Sequence, residues 1–513
     1  MKRVSNYIFA GILSLSSFTF VACDLETKPT TSLDAGSVFN KTVDAEKVLI
    51  GTWAYLMETF NTYANPGYGA MLRASDAMGS DVVINTKYGF RDHYPFNAVY
   101  SKGGTNTLSW TLAYNSINNA NGVIAYIDDV VGSPEDKNRI KGQAYALRGF
   151  MYLHLASFYS FAVDKDANAV CAPIYTEPSD ASTEGRPAAS VKEVYEQSIA
   201  DLEEALALIP ESYQRNSKYK FDTEVVLGLL SRATLYSRDW AKAKTYSDRL
   251  LAKNNYLMNE GEYKAGFNSV DNKEWIWGHP QTADQSNASY QFHYLDTTTD
   301  GSYYFSFNAD PYFLNLFDEG DYRKTMIYWA TDPGSDPDAA AYVWLRYAKF
   351  KFRADFTGDI VLMRTSEIYL INAEAKARLN DSDAITKLNT LKIARGAQPV
   401  SGLSGQDLID AIWVERRKEL FGEGFSLVDI IRNQQSVIRK EYPQTPKISY
   451  TYKTANGEER TRDITPQGHT SFTFPDKSSF TANSKYYLFR IPNSEELANE
   501  NIYNNHAQLG IYK

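Results

Sequence analysis

A helix–turn–helix arrangement that occurs at least twice sets the strongest limit on how this chain can fold. The span LLSRATLYSRDWAKAKTYSDRLL (229–251) holds Leu230 and Ser231 on a first helix, a break at Arg238, Trp240 at the turn and Ala243 on a second helix. Further on, TSEIYLINAEAKARLN (365–380) sets Ile368, Ile371, Ala375 and Leu379 along one helical face, with Thr365 or Ser366 as N-cap. Asn380, Asp381 and Ser382 break that pattern; Ala384, Leu388 and Leu391 resume it until Gly396 supplies a left-handed stop. A third helix is predicted from Ser404, with Asp407 placed as in a capping box, through Leu408, Ile412 and Trp413 into ERRKELFGEGFSLVDIIR (415–432).

Helix pairs of this length cannot bury their own apolar faces and need neighbours, as in tetratricopeptide-type repeats. Arg238 stands where such repeats usually hold Gly, and Asn372 fills a small-residue slot, so the copies are degenerate. Further helices are predicted over 42–61, 107–130, 134–160 and 191–209. The third of these has a nearly continuous apolar face, Tyr145, Phe150, Tyr152, Leu153, Phe158 and Tyr159, and reads as the central packing helix, with His154 as a core histidine.

The N-terminus sets Lys2 and Arg3 before a short apolar run ending at Val21, Ala22 and Cys23. This pattern predicts a signal peptide over 1–22. A small residue before cysteine resembles a bacterial lipobox, which makes Cys23 the expected lipidated residue and 23–40, rich in Pro and Thr, a flexible tether. The remaining cysteine, Cys171, has no partner within the chain, so the core alone must hold the fold.

The rest, 41–513, is expected to be a single domain: a helical half over 41–253, a loop and strand insertion over 254–360, a helical core over 361–440, and a loop excursion with a closing segment over 441–513. A long loop at 75–106 carries Tyr88, Phe90, Arg91, His93, Tyr94, Phe96 and Tyr100. Loops of that length in compact domains are usually functional or disordered, and so many rings argue against disorder. In the insertion, NKEWIWGHPQT reads as a buried strand and AYVWLRYAKFKF as a strand pair. Aromatic residues make up 14% of the chain, and tyrosine-rich surfaces suit sugars or peptides. The net charge of −9 argues against nucleic acid.

Four features together resemble the SusD-like (RagB/SusD) outer-membrane lipoproteins: the lipobox, the ALRGFMYLHLASFYS helix, the TSEIYLINAEAKARLN helix followed by ERRKELFGEG, and the closing RIPNSEELANENIYNN. The resemblance implies a mainly α fold, a right-handed bundle of tetratricopeptide-like pairs with a loop-rich mixed α/β insertion carrying the ligand face. It also implies a lipid-anchored, non-enzymatic protein on the cell exterior that captures glycan for a SusC-like TonB-dependent transporter. Carried over by region, the expected ligand residues are Tyr88, Arg91, His93 and Tyr94 from the first loop with Tyr290, Tyr294, Tyr303 and Trp329 from the insertion. Peptide capture by the same architecture is the alternative, and glycan cleavage a less favoured one.

Catalysis has no positive signal. The six histidines show no HExxH or His-x-x-x-His spacing, so no zinc site is expected. Asp164, Asp166 and Asn168 begin like a calcium loop, but Ala169 and Tyr175 occupy positions that need Gly and Glu. No cofactor is expected, and a structural calcium stays open. Glu415, Arg416, Arg417 and Glu419 read as structural charges rather than an acid/base array.

Overall fold

The computed structural model describes residues 39–60, 66–85, 89–100, 102 and 104–502. Cys23 and Tyr88 lie outside the described residues. The helical half consists of α1 (Thr42–Glu58), α2 (Gly67–Ala77), α3 (Thr105–Tyr126), α4 (Pro134–Phe158), α5 (Val191–Leu208), α6 (Thr223–Tyr236) and α7 (Trp240–Lys253). The second helical group is α8 (Thr365–Arg378), α9 (Ala384–Ala394), α10 (Gly405–Glu419) and α11 (Ser426–Arg432). From α3 to α9 each helix packs on the next, with α7 meeting α8 across the insertion, so the pairs form one continuous stack.

Sequence chemistry explains the central helix. Ser133 caps α4 by accepting the Asp136 amide at 3.1 Å, and Pro134 occupies the first turn, where its missing N–H is not needed. A Cβ at Gly149 would lie 2.9 Å from the Ser198 carbonyl oxygen, so the absent side chain lets α5 approach closely. Arg148 then clasps Asp201 through Nε at 2.9 Å and Nη2 at 2.6 Å. Trp277, Trp53 and Phe150 form the core beside it, with Trp277 at 5.2 Å and 4.9 Å from the other two rings. His154 is in the core as expected, donating to or accepting from Ser109 through Nε2 at 2.8 Å.

The degenerate positions have physical reasons. Arg238 takes φ +69°, the left-handed geometry usually given to glycine, and Asn380 takes φ +56° at the matching turn of α8–α9. Asn372 is tolerated because its amide reaches across to α7, donating to Ser247 Oγ at 2.8 Å and Asp248 Oδ1 at 2.9 Å. Other expectations are corrected. Ser404 makes no side-chain capping bond, and Leu379 is exposed at the end of α8. The third helix stops at Glu419, because Gly422 and Gly424 take φ +78° and +93° and turn the chain into α11. The 75–106 loop contains a strand and a one-turn helix, and α2, which runs into its first residues, was not foreseen.

The described residues also form ten short strands: β1 (Val82–Ile84), β2 (Val170–Ala172), β3 (Ala189–Ser190), β4 (Trp275–His279), β5 (Phe307–Ala309), β6 (Ile327–Ala330), β7 (Tyr342–Tyr347), β8 (Ile360–Arg364), β9 (Ile448–Lys453) and β10 (Glu459–Gln467). Strand β1 of the first loop pairs antiparallel with β5 of the insertion. Strands β6-β7-β10-β9 form one sheet, with β7 and β10 parallel, so the insertion and the late excursion fold together.

The charges of 415–423 are structural, and apart from the Glu415–Lys418 pair their partners lie on other elements. Glu419 accepts from Arg323 at 2.7 Å, Arg364 at 2.8 Å, and Arg395 at 2.9 Å and 3.0 Å. Glu274 takes further bonds from Arg364 and Arg395, Asp321 and Glu415 hold Arg323, and Glu423 holds Arg364 and Lys349. Lys418 pairs with Glu415 at 2.7 Å. Five cations and five carboxylates thus neutralise one another without solvent, joining the insertion, the α8–α9 pair and α10. Arg323, with Lys418 and Lys392, holds Glu415 down at about 2 despite burial.

Asp310, after β5, has the opposite environment. Burial, with Asp81 close by, raises its carboxyl from 3.8 to about 7, although Arg417 and Arg439 oppose the shift. His469 Nε2 is 3.9 Å away, and burial holds that imidazole neutral. The folded state binds this proton more tightly than the unfolded chain, so the Asp310 contribution falls as pH rises from about 4 to about 7. Asp310→Asn is therefore expected to shrink the gap between urea midpoints measured near pH 5 and near pH 8; an unchanged gap would exclude Asp310 as its source.

Candidate functional site

Pairing of β1 with β5 brings the first loop against the insertion and builds one face from both. Asn85, just past β1, donates its amide to the Ser306 carbonyl at 3.1 Å, and its side chain reaches Asp332 at 3.4 Å. Opposite Tyr328 in the β6–β7 register stands Arg346, fully buried. Its Nη2 donates to Asp332 Oδ1 at 2.7 Å and to the Thr331 carbonyl at 3.1 Å; its Nη1 donates to the Phe305 carbonyl at 3.1 Å and to Asn308 Oδ1. Asn85, Asn308, Asp332 and Arg346 form a rigid polar floor, with one guanidinium balanced by one carboxylate.

Beside this floor stands a ring cluster. Tyr303 is 60% exposed and stacks on His293 at 4.3 Å with ring planes 15° apart. His293 also packs on Tyr290 at 4.9 Å and on Phe352 at 4.8 Å, and Tyr290 meets Phe60 edge-on at 5.8 Å. Phe356, 53% exposed, extends the cluster from Phe352. Gly301 makes room for it, since a Cβ there would lie 2.1 Å from the Phe356 ring. Burial lowers the His293 imidazole to about 4, so it is neutral at physiological pH and serves as a flat support. The Tyr304 and Phe305 amides both donate to the His293 carbonyl, at 3.0 Å and 2.7 Å, and tie the Tyr303 loop to its base.

Strain marks the same region. Phe90, Phe305 and Phe356 all take positive φ, between 27° and 57°. Bulky residues rarely adopt that conformation, and it persists only where surrounding structure enforces it, often at functional sites.

The residues expected at the ligand face divide into two groups. Tyr303 is exposed, Tyr290 and Trp329 are half-buried, and Arg91 is exposed on the first loop. Trp329 joins a separate row with Tyr442 and Tyr312, at 5.8 Å and 5.4 Å between successive rings. His93, Tyr94 and Tyr294 point inward, contrary to the expectation that they offer contact surface. Tyr294 packs under Phe90 at 5.0 Å and against Tyr304 at 4.7 Å, while Tyr94 pairs with His469 at 2.7 Å and lies under the Arg439 guanidinium. These three fix the loops from below. The polar floor, His293, Tyr328 and Phe356 were not singled out from the sequence. Alternation within IYWA and YVWLRY could have set Tyr328 opposite Arg346 once the strand register was known; nothing in FTGD signals that Phe356 is exposed.

Among the described residues no helix is long and apolar enough to cross a membrane, and no group of three or more His, Cys, Asp or Glu is placed to hold a metal ion.

Known proteins resemble this chain along nearly all its length. The family described as starch-binding, associating with the outer membrane, matches residues 25–235, and the SusD family matches residues 254–507. A crystal structure of a SusD-like carbohydrate binding protein from Bacteroides vulgatus is 69% identical, with a TM-score of 0.89 over 91% of this chain and 98% of that one. SusD-like protein P38 of Formosa agariphila is 22% identical over 85% of this chain and 93% of its own. A laminarin binding SusD-like protein shares the fold, with 19% identity and a TM-score of 0.61 over 77% of this chain and 92% of that one.

Proposed function

The chain belongs to the SusD family, and from that premise we propose that it is a lipid-anchored, non-catalytic glycan-binding protein of the outer membrane. The observation that carries this reading is the exposed Tyr303, stacked on neutral His293 and set beside the Asn85–Asp332–Arg346 floor. A sugar ring can lay its C–H face on Tyr303 and Phe356, each contact contributing about 1 kcal/mol, while its hydroxyls meet carboxylate and amide groups. The carbohydrate binding named for the 69% identical structure supports this ligand class. Cys23 would carry the acyl chains, and a SusC-like TonB-dependent transporter would receive the glycan.

Helix α1 gives the geometry for presentation. Its first residue, Thr42, donates to the Val131 carbonyl where the described chain begins, and Phe60, just past its last turn, touches Tyr290. Seventeen residues separate these ends by about 26 Å at 1.5 Å per residue, so an anchor at Cys23 would join the chain at the end of α1 away from the rings.

Retention of the purified protein on gels containing candidate polysaccharides tests the proposal, with laminarin as one member of the panel. The expected result is retention on at least one glycan with no new reducing ends. Turnover would make the protein an enzyme, and binding to peptides with no glycan retained would favour the peptide-capturing alternative.

A further inference from the structure

Between α10 and α11 lies a cavity of about 80 Å³ that shares no lining residue with the ring face. Leu420, Phe425 and Ile430 give it apolar walls, while Arg416 and Asn433 bring polar ones. Arg416 is 1% exposed. Its Nε donates to Asp429 Oδ2 at 2.7 Å and its Nη2 to the Tyr236 hydroxyl at 3.5 Å, yet among the described residues Nη1 has no acceptor. Asn433 Oδ1, also buried, has no donor. Leaving such groups unsatisfied is costly, so this chain keeps one donor and one acceptor ready in the same small space. The exposed residues Arg417, Gln435 and Ile438 also line the cavity, so it can be reached from solvent.

We propose that this cavity is a second binding site, separate from the ring face, that seats one hydroxylated unit: a free polyol or the terminal residue of a sugar chain. Charge and hydrogen-bond polarity select this chemistry. Asp429 already balances Arg416, and Asp81 clasps Arg417, so the site does not call for an anion. A carboxylate would set its oxygens against the Asn433 acceptor, and an ammonium would face the Arg416 donor. A hydroxyl satisfies both, accepting from Nη1 and donating to Oδ1. Ser80 and Ser436 also line the site for a neighbouring hydroxyl; Ser80 Oγ already accepts the Ile438 amide at 2.9 Å and so keeps its hydrogen to donate. The volume is several times the roughly 10–15 Å³ that one water needs, and so admits a short polyol or the edge of one sugar ring.

Saturation-transfer NMR on the full protein tests the proposal, with glycerol and a monosaccharide as separate probes. The expected result is millimolar binding of at least one probe, with a component that persists in the Tyr303→Ala/Phe356→Ala variant and is weakened roughly tenfold by Asn433→Leu, as loss of one hydrogen bond near a charged group requires. Asn433→Asp, which keeps the acceptor, should retain binding. Should Asn433→Leu not fold, Asn433→Ala reads the same loss. Glycerol alone would assign the seat to free polyols, and the sugar as well would assign it to chain ends. The proposal is overturned if neither probe binds, if the ring variant abolishes the signal, if Asn433→Leu or Asn433→Ala leaves it unchanged, or if crystals soaked in both probes show ordered water only.

Discussion

Glu419→Ala is expected to lower the unfolding free energy by about 3–5 kcal/mol, a large part of the roughly 5–15 kcal/mol that holds a typical domain. The side chain is fully buried and is the shared partner of Arg323, Arg364 and Arg395. Removing it leaves three guanidinium groups short of an anion where water cannot replace it, and that uncompensated burial, rather than the pairing energy itself, sets the size of the effect. Glu419→Gln should cost nearly as much, because the amide keeps the shape but not the charge. Glu196→Ala serves as the control: its pair with Lys192 has both side chains more than half exposed, and its loss should cost less than about 1 kcal/mol. Urea titration of the three variants checks this. A loss below about 1 kcal/mol for Glu419→Ala would mean that the network is not cooperative with folding.

The second large effect concerns the ring face. Tyr303→Ala combined with Phe356→Ala is expected to weaken binding of any retained glycan by roughly 10- to 30-fold, from two stacking contacts of about 1 kcal/mol each. Because both rings are more than half exposed, the urea midpoint should barely move. Tyr294→Ala should behave in the opposite way: the ring is fully buried, so the variant loses about 3–5 kcal/mol of stability first and binding only through the loosened loop. Affinity electrophoresis paired with unfolding curves separates the two. Equal loss of stability in both variants would remove the distinction between contact and support.

The helical part of this fold was legible because its signals are local. Apolar spacing, the helix start at Pro134 and the Gly396 stop, at φ +71°, each act within a few residues. Even the departures from the repeat pattern, Arg238 and Asn372, were visible as departures, though the reasons for tolerating them needed the neighbouring helices. The candidate site was only partly legible, because its members meet through pairings that no local pattern encodes. Asn85 reaches Asp332 across 247 positions of sequence, and Arg346 reaches Asn308 across 38. Counting aromatic residues singled out the two loops that meet at this face but could not tell a ring that faces solvent, such as Tyr303, from one that holds the loop up, such as Tyr294.

The central claim is that the face built from the first loop and the insertion holds carbohydrate. A crystal structure of this protein with a glycan that it retains tests that most directly. The account predicts a sugar ring packed on Tyr303, with hydroxyls bonded to the Asn85–Asp332 floor. Glycan seated elsewhere on the molecule, with Tyr303 and Phe356 untouched, would contradict it.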